Sequence, residues 1–110
     1  MKISPLAPTS FPTLPIIAGV TFATAAAGIK YAGRTDVMLA SIAAGATVAG
    51  VFTRSATRAA CVLDCQSKMG GNMSQGAAIL VNSGNANAFT GAAGQASVGR
   101  ICAAVADGLG

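Results

Sequence analysis

The sequence predicts an α/β chain, and three observations predict it. Val20, Phe22 and Thr24 alternate with Thr21, Ala23 and Ala25, the two-residue period of a strand. Ala77-Ala78-Ile79-Leu80-Val81 is a short apolar run bounded by Gly76 and Asn82, which reads as a buried strand. Val98, Ile101, Cys102, Val105 and Leu109 then recur at three- and four-residue steps, which is one face of a helix.

Taken in order, residues 1–18 carry Pro5, Pro8, Pro12 and Pro15 and read as an extended arm, because proline removes donors and holds its predecessor out of the helical region. The first strand follows from Gly19. Gly28 and Gly33 bracket Ile29-Lys30-Tyr31-Ala32 and predict a bend or bulge. Residues 37–53 are uncharged and reach the lower length limit of a membrane span. Their leaning on Ala, Gly45 and Gly50, with Ser41 and Thr47, makes insertion weak. Two short buried strands, Val37-Met38-Leu39 and Val48-Ala49-Gly50-Val51-Phe52, joined by a glycine-containing turn, fit better. Ser55 or Thr57 is placed to cap a short helix running to about Lys68, ended by Gly70-Gly71. After the 77–81 strand comes Asn82-Ser83-Gly84-Asn85-Ala86-Asn87-Ala88-Phe89-Thr90-Gly91, rich in turn-forming Asn and Gly. Thr90 is the expected N-cap of the last helix. Residues 19–110 are expected to form one unit with the arm.

Composition limits the chemistry. Ala and Gly supply 39 of the 110 residues and Leu, Ile, Val and Phe only 25, so any core is thin. There is no His, Glu or Trp, which excludes a Ser-His-Asp triad, a Cys-His pair and any His-bearing metal site within these residues. The charge of +4 comes from seven scattered cations, never two adjacent, so no nucleic-acid surface is expected. No membrane partner is expected either. Three cysteines without a secretory segment predict a reducing, cytoplasmic setting.

Three constellations stand out. Cys61 and Cys65 share a helix face and have Cys102 as the only further thiol, but burial as small hydrophobes is the commoner use; no metal site is expected. Lys30, Tyr31, Arg34 and Asp36 form the densest polar group, read as a solvated turn with an Arg–Asp pair. The layout of strand, loop and helix over 79–94 is that of a phosphate cradle, and a small anion- or nucleotide-binding module using residues 83–91 is the rival reading. The loop matches neither G-x-G-x-x-G nor G-x-x-x-x-G-K-[ST]. Asn85 and Asn87 are more simply read as holding a turn through their own backbone.

Phe22-Ala23-Thr24-Ala25-Ala26-Ala27-Gly28-Ile29-Lys30-Tyr31 with Gly33-Arg34-Thr35-Asp36, then Ala49-Gly50-Val51-Phe52-Thr53-Arg54, then Val81-Asn82-Ser83-Gly84-Asn85-Ala86-Asn87-Ala88, resemble the amino-terminal half of the bifunctional ornithine acetyltransferase and N-acetylglutamate synthase family. The resemblance covers nearly the whole chain. It implies part of a layered α/β sandwich, with a mixed sheet and one or two helices, incomplete in these residues. It also implies transfer of acetyl from N-acetylornithine to glutamate in arginine biosynthesis, some members also using acetyl-CoA. In this family the precursor cuts itself ahead of a Thr, which becomes the acetyl-bearing nucleophile; a Thr activated by its own amine needs no His. The family's oxyanion-hole Thr-Gly pair, substrate Lys and nucleophilic Thr all follow the last residue of this chain, and Thr90-Gly91 is not that pair. No catalytic residue is therefore expected within residues 1–110, no substrate-binding residue is assigned, and no cofactor is expected. The expected partners are the two substrates and the carboxy-terminal β portion of the enzyme.

Overall fold

The computed structural model describes residues 2–110, so Met1 of the arm lies outside the described residues. Residues 2–19 form neither helix nor strand and are exposed throughout, with a tight turn in which Ala7 N–H donates to Ser4 O at 2.9 Å. Five elements follow: β1 (Val20–Ala25), β2 (Val37–Ile42), α1 (Ala60–Lys68), β3 (Ala77–Asn82) and α2 (Gly91–Leu109). β1 and β3 lie where the alternation and the apolar run place them.

The sheet has the order β1-β2-β3, and both pairings are antiparallel. The parallel component of a mixed sheet is thus not among the described strands. Phe22 lies opposite Ala40, which lies opposite Ile79, and Thr24, Met38 and Val81 form the neighbouring row. Side chains two apart share a face, so Phe22, Met38, Ile79 and Val81 make one apolar face. Among the described residues nothing covers it fully: Phe22 is 64% exposed and Val81 49%. The expectation of a buried 77–81 strand is corrected accordingly. β2, flanked on both edges, is the best-covered strand, and its Ala40 is the buried apolar residue.

Residues 48–52 do not form the expected second strand of the 37–53 segment; they run without regular structure, with Val51 almost fully exposed. β1 and β3 already occupy both edges of β2, and Gly50 in the middle of the segment weakens it further.

The expected cap of α1 is corrected, whereas that of α2 holds in position but not in its hydrogen bond. Ser55 Oγ accepts from Thr57 N–H at 3.2 Å and shares a hydrogen bond with Thr57 Oγ1 at 3.1 Å, so both hydroxyls are spent in a turn before α1. The helix starts later, after Ala59, and Ala60 N–H donates instead to Asn87 O at 3.1 Å. Thr90 does occupy the N-cap position of α2, but its hydroxyl donates to Asn87 Oδ1 and caps no helix N–H. At its far end α1 stops as expected, with Met69 N–H bonded back into the last turn and Gly70 at φ +76°.

The helices pack on each other rather than on the sheet. Val98, Cys102 and Val105 of the expected α2 face are half-buried, while Ile101 and Leu109 on its flanks stay exposed. Among the described residues no helix is long and apolar enough to cross a membrane.

Candidate functional site

Asp36 immediately precedes β2, and the chain turns there so that its side chain faces the end of β1. The residue is 6% exposed. Its two carboxylate oxygens accept from Ala27 N–H at 2.6 Å and Ile29 N–H at 2.8 Å. These two donors, Ala27 first, hold the carboxyl below the usual carboxylate range, against a smaller upward push from desolvation. Its backbone carbonyl accepts from Ser83 N–H at 2.9 Å. One residue thus ties the 26–35 loop to the loop after β3. The expected solvated Arg34–Asp36 turn is corrected on this point: the acid is buried and its side chain serves the backbone. The missed signal was position, since Asp36 is the first acid in the chain and sits at the edge of an apolar run.

Lys30, Tyr31, Arg34 and Asp36 are brought together with Ser83 and Gly84 around a cleft of about 10 Å³. Lys30 Nζ lies 5.4 Å from the Tyr31 ring centroid and Arg34 Cζ 5.3 Å. Gly84 has φ +91°, and a Cβ there would stand 3.1 Å from Lys30 Cβ, so only glycine lets the two loops meet this closely.

Further along the same loop, Asn87 joins both helices. Its carbonyl receives the first N–H of α1, its Nδ2 donates to Gly94 O at 3.2 Å, and its Oδ1 accepts from the Thr90 hydroxyl. Gly94 is the buried residue of α2, and any Cβ on it would overlap Thr90 Oγ1 and Asn87 Oδ1. Asn87 therefore binds across to the helices as well as shaping its turn. Asn82 Nδ2 reaches Asn85 O at 3.4 Å, so the local side-chain-to-backbone bond of this loop comes from Asn82 rather than from Asn85 or Asn87 as expected. Phe89 sits at φ +56°, a conformation a bulky side chain rarely takes, with its ring 86% exposed. It borders an open cleft of about 190 Å³ with Thr57, Arg58, Leu63 and Gln95.

Cys61 and Cys65 are exposed on α1, and Cys102 on α2 is half-buried, its thiol donating to Asp64 Oδ2 at 3.6 Å. Burial, with the Asp64 carboxylate beside it, pushes the Cys65 thiol up. Among the described residues no group of three or more His, Cys, Asp or Glu side chains is arranged to hold a metal ion.

The ArgJ family model matches residues 21–110. A Ruegeria pomeroyi protein named arginine biosynthesis bifunctional protein ArgJ is 66% identical over 106 residues, covering 96% of this chain and 26% of the relative. Proteins of the same name from Nitrobacter winogradskyi and Rhizobium meliloti are 60% and 47% identical, covering 84% and 99% of this chain. The chain spans about a quarter of the length of these relatives. No solved structure matches it.

Proposed function

The chain belongs to the ArgJ family, and from that premise we propose that it is the amino-terminal portion of an arginine-biosynthetic acetyltransferase. The observation that carries this reading is the match over residues 21–110 together with the quarter-length coverage of the relatives. The surface supports it. The chain exposes 8637 Å², against about 5,500 Å² for a compact protein of its mass. Its apolar sheet face and the outer flank of α2 suit burial under further layers of the same protein.

In the proposed reaction a Thr hydroxyl in the remaining portion attacks the amide carbonyl of N-acetylornithine. The C–N bond breaks, ornithine leaves as the amine after taking a proton, and the acetyl group rests on Thr as an ester. The amine of glutamate then attacks that ester, the C–O bond breaks, and the Thr hydroxyl regains its proton. Acetyl-CoA is the second donor considered for the same ester. Residues 1–110 supply scaffold: the Asp36 and Asn87 nodes hold the loops and helix starts in register. The reading sets the reaction in a reducing cytoplasm, the setting the three free cysteines predict.

The test is complementation. The 110-residue chain alone is expected to give no acetyl transfer from N-acetylornithine to glutamate, since it lacks a nucleophile paired with a base and oxyanion donors. Transfer is expected when the remaining three-quarters of the Ruegeria relative is supplied in the same chain or as a partner. Turnover by the 110 residues alone, abolished by an Asn85→Ala, Asn87→Ala double change that leaves the fold intact, would overturn the scaffold assignment.

A further inference from the structure

Phe89 holds a backbone conformation that its side chain does not repay within these residues. Among the described residues it is the only non-glycine with a positive φ, at +56°. The turn accounts for the conformation: Asn87 Oδ1 accepts from the Thr90 hydroxyl and Asn87 Nδ2 donates to Gly94 O at 3.2 Å, so the chain reverses between residues 87 and 90. Glycine would make the same turn without the clash of a Cβ. A phenyl ring kept at a strained position normally gains burial in return, yet Phe89 is 86% exposed.

The ring borders the open cleft of about 190 Å³ where the start of α1 meets the start of α2. Ala60 and Leu63 add apolar lining, with Gln95 and Arg58 as polar neighbours, and Arg58 Nη1 donates to Gln66 Oε1 at 2.9 Å. Small-molecule pockets run to about 300–1,000 Å³ and enclose most of their ligand. This cleft is smaller and open, which suits apolar side chains presented by a protein surface. An aromatic ring beside such a cleft is the arrangement of an interface anchor.

We propose that Phe89 and this cleft form a docking surface for the remaining portion of the same polypeptide. About three-quarters of the length of the relatives lies outside the matched residues. Covalent attachment gives that portion a high effective concentration at the cleft, whereas a second copy of the chain pays the full cost of association. The distance is also short. α2 has 19 residues and is about 28 Å long, so a chain continuing from Gly110 regains the cleft in about nine extended residues. The proposal rests on membership of the family and not on the acetyl-transfer reading.

The test joins residues 1–110 to the remaining three-quarters of the Ruegeria relative and places 4-fluorophenylalanine at position 89. In the 110-residue chain the fluorine signal is expected to shift between light and heavy water, as that of an exposed ring does, and in the joined protein to lose most of that shift. Phe89→Gly is expected to raise the urea midpoint of the 110-residue chain by about 0.3 M, because strain is relieved and little contact is lost. In the joined protein the same change is expected to lower the midpoint by about 1 M. That reversal of sign separates an anchor from a merely strained turn. An isotope shift that persists in the joined protein, or a midpoint that rises in both proteins, overturns the proposal. Should the joined chain not fold, the two pieces are co-expressed and the larger is captured through a tag on residues 1–110, with Phe89→Gly expected to weaken capture about tenfold or more. Equal capture, or none by the unsubstituted chain, overturns it, as does a dimer of the 110-residue chain that Phe89→Gly dissolves. None of these readouts needs turnover, so failure of the acetyl-transfer reading is told apart from failure of this one.

Discussion

At the scale of single residues, the sharpest consequence concerns Gly94. Glycine inside a helix ordinarily costs up to about 1 kcal/mol relative to alanine, so Gly99→Ala, which meets open space, is expected to stabilise the chain by roughly 0.5–1 kcal/mol. Gly94→Ala is expected to go the other way, because its Cβ would displace the Thr90 and Asn87 side chains that join α2 to the loop. The loss should be about 1–3 kcal/mol in urea unfolding. Equal effects from the two substitutions would mean that the Asn87 node has no structural weight. Asp36 makes a prediction in pH. Its carboxyl is held below its ordinary value in the fold, so its stabilising contribution is complete at neutral pH and is lost as pH falls through the folded value. Urea midpoints measured from pH 6 downward should therefore fall through the acid range. In Asp36→Asn the part of that slope due to this group should vanish.

Between elements, α1 and α2 are joined by a small polar cluster. Lys68 Nζ lies 2.7 Å from Asp64 Oδ2, four residues earlier on α1, and this contact holds Lys68 above its ordinary value. Lys68 is exposed and the pair is an i,i+4 contact on a helix surface, so its worth is small: Lys68→Ala is expected to cost no more than about 0.5 kcal/mol in chemical unfolding. Its contribution is present at neutral pH and is lost as pH rises through the raised Lys68 value. The same cluster restrains Cys65, whose raised thiol carries less thiolate than an ordinary cysteine at neutral pH. Alkylation by iodoacetamide, read at Cys65 by peptide mass, should run slower than for an unstructured cysteine peptide. A faster rate would contradict its placement beside Asp64.

The whole molecule has too much surface for its mass. The radius of gyration is 15.8 Å, where about 13 Å is expected of a compact chain of this length. Ala40 is the buried apolar residue among the described ones, and Phe22, Ile79 and Val81 face outward. Phe22→Ala is therefore expected to cost about 0.5 kcal/mol or less in the chain alone, as exposed substitutions do. In a full-length relative whose further layers cover this face, the corresponding change should cost about 3–5 kcal/mol, the range for a buried aromatic. Chemical unfolding of both proteins distinguishes the cases, and equal small costs would count against the face being covered.

By itself the sequence determined the local order of this protein. The two-residue alternation at 20–25, the apolar run at 77–81 and the helical face from Val98 onward are one-dimensional periods, and each became the expected element. The Asn-Ser-Gly-Asn-Ala-Asn-Ala motif carried the family, since a linear pattern is what a family shares. Only the tertiary structure decided what had to be settled between distant residues. Residues 48–52 have a strand's composition but stay irregular because β1 and β3 take both edges of β2. Ser55, Thr57 and Thr90 have the composition of caps, yet their hydroxyls go elsewhere, and Asn87, 27 residues from Ala60 in sequence, satisfies the start of α1. Asp36 reads as half of a surface pair until the end of β1 is brought against it, when two backbone donors claim its carboxylate. Periodicity and composition are properties of neighbours along the chain, whereas a hydrogen-bond partner is fixed by whichever group folding brings nearest.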